Sequence, residues 1–158
     1  MKHTISVLVE NQPGVLARIA GLFSARGYNI ISLAVGETEA PDVSRMTIVV
    51  DGDNRILEQI VKQLNKLIDT LKVSDFSGEK FIARDLALIK VNCAAGKKKQ
   101  LLEIVKVFRG KVVDLSPKTA IIEVAGTEEK LESIRENLKP FGILEMTRTG
   151  TIAMSRSK

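Results

Sequence analysis

Residues 10–30 read ENQPGVLARIAGLFSARGYNI. Just upstream, Ile5, Val7 and Val9 alternate as a strand does, and the run HTISVLVE stops at Asn11. The chain then turns through Gln12-Pro13-Gly14 into an apolar helix. Leu16, Ile19, Ala20 and Phe23 share one face of it, and Arg18 and Arg26 fall among the polar positions. Gly27 is placed to end this helix, because a glycine past the last turn takes the left-handed conformation at little cost. The turn itself holds no nucleophile, general base or metal ligand.

Beyond it the pattern continues. IISLAVGE opens at Ile30 and SRMTIVVD comes after a polar turn at Pro41-Asp42, both reading as strands. Asp53-Asn54 can cap a second helix whose apolar positions Ile56, Leu57, Ile60, Val61, Leu64 and Ile68 keep the 3.6 period. The strand LKVSDF ends the unit near Ser77-Gly78, giving the order βαββαβ.

The remaining residues repeat that order. DLALIKVN is a strand, KQLLEIVKVFRG a helix, KVVDLS and TAIIEVAG two strands, TEEKLESIRENL a helix capped by Thr127, and ILEMTRTG a last strand. Arg26-Gly27 and Arg109-Gly110 close the first helix of each half, and Gly52 and Gly126 precede the second. Leu57 and Ile60 are answered in step by Leu131 and Ile134. A duplicated unit accounts for this. The expected fold is α+β, two ferredoxin-like βαββαβ units in tandem at residues 1–77 and 78–158.

Two surfaces of the first unit call for a partner. Leu8 and Val49 point away from the helix-covered face, which leaves that side half apolar, to be covered by the second unit or by a second copy of the chain. The second strand, IISLAVG, falls at a sheet edge without the Lys, Pro or inward charge that usually guards an edge. Edge-to-edge pairing of two copies would join their sheets.

Composition narrows the remaining choices. With 44% hydrophobic and 27% charged residues the chain is globular, and with no Trp its cores must be aliphatic. The net charge of +5 is scattered, and its one tight run, Lys97-Lys98-Lys99, reads as a solvated helix start. A single cysteine, Cys93, rules out a disulfide framework and reads as core filling. His3 sits at what reads as the frayed start of the first strand. No run approaches the roughly 20 apolar residues a spanning helix needs, the N-terminus lacks a signal-peptide block, and the expected location is the cytoplasm. RNA-binding domains of the same order stack bases on aromatics of the two central strands, but SVLVE and RMTIVVD contain none. Dinucleotide binding lacks its G-x-G-x-x-G.

The turn suits a small anion. Pro13 pre-sets a helix start and Gly14 permits close approach. The amides of Val15 and Leu16 then point outward with the helix dipole behind them. Asn11 and Asn29 add side-chain amides, and in an edge-to-edge dimer Asn29 of one copy could approach the turn of the other. On spacing alone, a plain tight turn with two turn asparagines is the simpler account.

The run LVENQPGVLARIAGLFSARGYNIISL, with SRMTIVV, LEQIVKQLNKL, VFRGKVVDLSP and VAGTEEKLESI, resembles the small regulatory subunits of acetolactate synthase, whose first half is an ACT domain. The resemblance implies a chain without catalysis of its own. It would bind the catalytic large subunit, raise its activity and confer feedback inhibition by a branched-chain amino acid, usually valine. Thiamine diphosphate, magnesium and FAD would belong to that partner, with no cofactor in this chain. The effector site it implies matches Asn11, Gly14, Val15 and Leu16 of one copy with Asn29 and Ile30 of the other. The corresponding second-half turn, Asn92-Cys93-Ala94-Ala95-Gly96, lacks the Pro-Gly pair, and no site is expected there. The alternative within the ACT class is a free-standing amino-acid sensor for another enzyme.

Overall fold

A computed structural model describes residues 1–156. The chain divides into two compact units, Met1–Ile82 joined by the segment that starts at Thr151, and Ala83–Gly150. The turn at Ser77-Gly78, where Gly78 has φ 77°, lies a few residues before this division.

In the first unit β1 (Lys2–Glu10), α1 (Val15–Ala25), β2 (Ile30–Glu37), β3 (Val43–Asp51), α2 (Asn54–Asn65) and β4 (Thr70–Asp75) succeed one another in the expected order. The sheet runs β2-β3-β1-β4 with every pair antiparallel, so β2 is indeed an edge. Val15, Ile19, Leu22 and Phe23 of α1 and Leu57, Ile60 and Leu64 of α2 bury against Ile5, Val7, Val9, Met46, Ile48 and Val50. That aliphatic layer is the main stabilising term, since truncating one such side chain to Ala typically costs about 2–5 kcal/mol. Asp53 caps α2, its Oδ1 accepting the Ile56 N–H at 2.9 Å. α1 ends as the sequence expects: Gly27 is left-handed at φ 68°, and the Tyr28 N–H reaches the Phe23 carbonyl at 3.0 Å.

Three expectations need correction here. The face of α1 that packs on the sheet is Val15, Ile19, Leu22 and Phe23, whereas Leu16 and Ala20, read on that face, are exposed, because the sheet beneath and not the period alone sets the helix's rotation. Ile68 does not continue the apolar face of α2, because the helix stops at Asn65 and Ile68 is 91% exposed. Once the chain leaves the helix the 3.6 period no longer places side chains, and Leu67 turns toward the core instead. Nor is the start of β1 frayed. The terminal amine pairs with Asp51 at 2.8 Å, and the Gly52 N–H donates to the Met1 carbonyl. His3 is buried, its Nε2–H donating to the Gly52 carbonyl at 3.0 Å while Nδ1 lies 3.1 Å from the Ser77 hydroxyl.

The second unit repeats the plan with β5 (Phe81–Asn92), α3 (Lys98–Val107), β6 (Lys111–Leu115), β7 (Thr119–Gly126), α4 (Glu128–Leu138) and β8 (Ile143–Arg148). Its sheet order is β6-β7-β5-β8, and a short strand that the sequence did not announce, β9 (Ile152–Ser155), pairs with β5. Ala87, Ile89, Val91, Ala120, Ile122 and Val124 pack under Leu101, Val105, Leu131, Ile134 and Leu138. Thr127 caps α4 by accepting the Lys130 N–H at 3.2 Å. Cys93 is a buried free thiol within this core, as its apolar setting suggests.

The repeat is real, but its register differs by one from the Arg-Gly match. Gly27 and Tyr28 donate to Ser24 and Phe23, whereas Arg109 and Gly110 donate to Lys106 and Val105. Gly27 therefore corresponds to Arg109, not to Gly110. Arg109 accordingly adopts φ 55°, the one positive φ of a residue other than glycine among the described residues. The shared dipeptide misled because helix geometry, and not residue type, sets which position becomes left-handed.

Among the described residues no helix is long and apolar enough to cross a membrane.

Candidate functional site

The β1–α1 turn is shaped by Gly14, which caps α1 with φ 85° and ψ −7° and with no side-chain capping bond. A Cβ on Gly14 would be strained by that backbone and would lie 3.1 Å from Nη1 of Arg18. The glycine is thus needed for its conformation, independently of anything that approaches the turn. The Val15 N–H contacts the Gln12 carbonyl at 3.4 Å, so only part of the expected pair of free amides remains. The Leu16 N–H has no partner among the described residues. Val15 is buried in the core and contributes backbone alone, while the Leu16 side chain is half exposed beside the turn.

Asn11 is held more firmly than an open ligand group would be. Its N–H donates to the Asp42 carbonyl at 2.8 Å. Its Nδ2 donates to the Pro41 carbonyl at 2.9 Å and to Glu37 Oε1 at 3.2 Å. The side-chain NH₂ therefore ties the turn to the β2–β3 hairpin, and the Oδ1 is the atom left to accept from a ligand.

Asn29 and Ile30 lie at the other end of the unit. Ile30 pairs with Val50, which pairs with His3, whereas Asn11 succeeds Glu10 at the far end of β1. Eight strand steps separate the two levels, about 26 Å at 3.3 Å per residue. One chain cannot bring Asn11 and Asn29 to a single small ligand. Asn29 is exposed and Ile30 half buried against the core.

The residue that sequence reasoning undervalued is Arg18. Placed there as a solvated helix position, its Nε instead donates to Asp69 Oδ2 at 2.6 Å, and Nη1 sits against Gly14. Asp69 is nearly buried, with 10% of its side chain exposed. The hydrogen bond from Arg18, and after it the charge, holds the Asp69 carboxyl below the usual carboxylate range against the opposing pull of desolvation. The i, i+4 spacing of Gly14 and Arg18 was a visible signal, but the partner fifty-one positions on was not.

Comparison with known proteins decides the family. Residues 5–72 match the family described as AHAS small subunit-like ACT domain, and residues 84–157 match the one described as small subunit of acetolactate synthase. The chain belongs to the acetolactate synthase small-subunit family. It is 53% identical to a probable acetolactate synthase small subunit of Archaeoglobus fulgidus over 99% of this chain and 98% of that one. It is 55% identical to the small subunit of Aquifex aeolicus, covering 98% of this chain and 81% of the relative. A crystal structure of the acetolactate synthase small subunit from Thermotoga maritima superposes with a TM-score of 0.92 at 41% identity, covering 100% and 99% of the two chains. The first unit is accordingly an ACT domain, and the chain is of the small-subunit, non-catalytic kind.

Proposed function

We propose that this chain is the regulatory subunit of acetolactate synthase. In this reading it binds the catalytic large subunit, raises its activity and confers feedback inhibition by a branched-chain amino acid, with valine the first choice. Thiamine diphosphate, magnesium and FAD reside on the catalytic partner. The chain works in the cytoplasm as a homodimer through its ACT domains, without nucleic acid or membrane. The match of the second half to the small-subunit family favours this over a free-standing ACT sensor.

The observation that carries the effector site is the antiparallel layout of the edge strand. Ile30 opens β2 directly after Asn29, and Glu37, which holds the Asn11 amide, closes it. Two β2 strands paired antiparallel about a twofold axis would set Ile30 of one copy opposite Glu37 of the other. Asn29 of the partner would then approach Asn11, Gly14 and Leu16, supplying across the seam what one chain cannot supply alone. The ligand's carboxylate takes the Leu16 N–H at the positive end of α1, its ammonium takes the Asn11 and Asn29 carbonyl oxygens, and its aliphatic side chain meets Ile30. Effector binding then favours one dimer geometry over another, and a coupling of roughly 1–3 kcal/mol suffices for such control.

Calorimetric titration of the full chain with each of the twenty amino acids, with and without the catalytic subunit, tests the reading. Saturable binding confined to branched-chain amino acids, matched by inhibition of the reconstituted enzyme, is the expected outcome. No binding by any of the three would refute it.

A further inference from the structure

We propose that Arg18, oriented by Asp69, is an effector-binding residue that reads the ligand's carboxylate, a role the backbone-only site leaves out. This deepens the proposed function and rests on it.

Three observations meet at this side chain. The guanidinium is aimed, because Nε is committed to the nearly buried Asp69 carboxylate at 2.6 Å. It is on the turn, because Nη1 lies 3.1 Å from the point a Gly14 Cβ would occupy. And it has donors to spare, since no partner for Nη1 or Nη2 is found among the described residues. A planar fork with one edge fixed and the other free is the arrangement by which arginine recognises a carboxylate.

The second unit supplies a comparison within the same molecule. By the helix-end hydrogen bonds, Phe23 corresponds to Val105, so Arg18 corresponds to Gln100. The Glu10 N–H donates to the Asp69 carbonyl and the Asn92 N–H to that of Gly142, so Asp69 corresponds to Gly142. The second unit builds the same strand end and helix without either charge. The fold therefore does not require the Arg18–Asp69 pair, and the pair appears in the half that carries the effector turn.

Two ligands separate the roles: L-valine and L-valinamide, which lacks the carboxylate charge. Both are titrated into the full-length wild type, Arg18→Gln, Asp69→Asn and Asn29→Ala. In Arg18→Gln, valine affinity should fall about 10- to 100-fold, the size of a lost charge-assisted hydrogen bond, while valinamide affinity changes little. Asp69→Asn should give an intermediate loss of the same kind. Asn29→Ala should weaken both ligands alike. Equal losses for both ligands in Arg18→Gln, or unchanged valine affinity, would overturn the role of Arg18 while the effector site stood. Absence of binding of all three branched-chain amino acids by the wild type would overturn both, and if leucine or isoleucine binds in place of valine, that amino acid and its amide take valine's part in the titrations. Thermal unfolding of each variant accompanies the titrations, and if Arg18→Gln fails to fold, a smaller valine-to-valinamide preference in Asp69→Asn carries the test, an unchanged one counting against it.

Discussion

At the end of β1 the Asn11 N–H donates to the Asp42 carbonyl at 2.8 Å, and at the end of β5 the Cys93 N–H donates to the Lys118 carbonyl at 2.7 Å. The two strand ends are anchored alike, yet the turns beyond them differ. Asn11 is exposed and its side chain braces the next hairpin, whereas Cys93 is buried as packing. α1 starts straight from the left-handed Gly14, but α3 is reached through a 3₁₀ turn at Ala95–Lys97 and has no side-chain cap. The edges differ too. Both edges expose apolar side chains, Ile31 and Val35 on β2 and Val113 and Leu115 on β6, but β2 carries no charge before Glu37, while β6 sets Lys111 and Asp114 among its own. Duplicated backbone hydrogen bonds preserve the fold, and the side chains around them decide whether a turn remains open to a ligand and an edge open to a partner.

The largest expected effect lies at the two turns. Gly14→Asp places a carboxylate where the proposed site would take the effector's own carboxylate, and should abolish valine inhibition of the reconstituted enzyme. Gly96→Asp, in the second-half turn, meets open space and ordinary backbone. It should leave inhibition intact and stability within about 0.5 kcal/mol. Gly14→Ala separates strain from charge: part of its inhibition should survive.

Next come a buried carboxylate of the second half and an exposed amide of the first. Asp85 is buried and receives Arg148 Nη2 at 2.6 Å and the Thr149 hydroxyl at 3.0 Å. Arg148→Ala strands that charge and should cost roughly 2–3 kcal/mol in urea unfolding, somewhat below the usual figure because Arg148 is partly exposed. In the first unit Asn29→Ala should leave stability unchanged and weaken effector binding by roughly 1–3 kcal/mol. Unchanged calorimetric affinity would reduce Asn29 to a turn residue.

A smaller effect is expected at the left-handed helix ends. Arg109→Gly relieves φ 55° and should stabilise the protein by up to about 1 kcal/mol. Gly27→Arg should do the reverse, both read as shifts in the urea midpoint.

The smallest is a pH effect. Because the folded-state pKa of Asp69 is depressed, the stabilisation from its pair with Arg18 is present above its ordinary value, about 3.9, and is lost as pH falls through the folded value. Arg18→Gln should therefore show a shallower fall in thermal midpoint on acidification through that window. Gln100→Ala, at the equivalent second-unit position, should not.

Much of the architecture was legible in the residues. Alternation at Ile5, Val7 and Val9 and the 3.6 period of Leu57, Ile60 and Leu64 placed the strand and helix, since each pattern reports a local geometry. Caps at Asp53 and Thr127 were legible for the same reason. Ile68 and the Arg-Gly register were misread where local pattern crosses an element boundary and stops constraining the chain. β9 was missed because four residues give too little alternation to announce a strand.

The sequence by itself determined the βαββαβ order, its duplication, the aliphatic cores and the family, because each is written in short-range periodicity or in whole-chain similarity. Only the tertiary structure decided that Arg18 belongs to Asp69, that the side-chain NH₂ of Asn11 is committed to the β2–β3 hairpin, and that Asn29 lies a strand's length away. Those are contacts between residues distant along the chain, fixed when hydrophobic burial and sheet register bring separate elements together, and no local pattern records them.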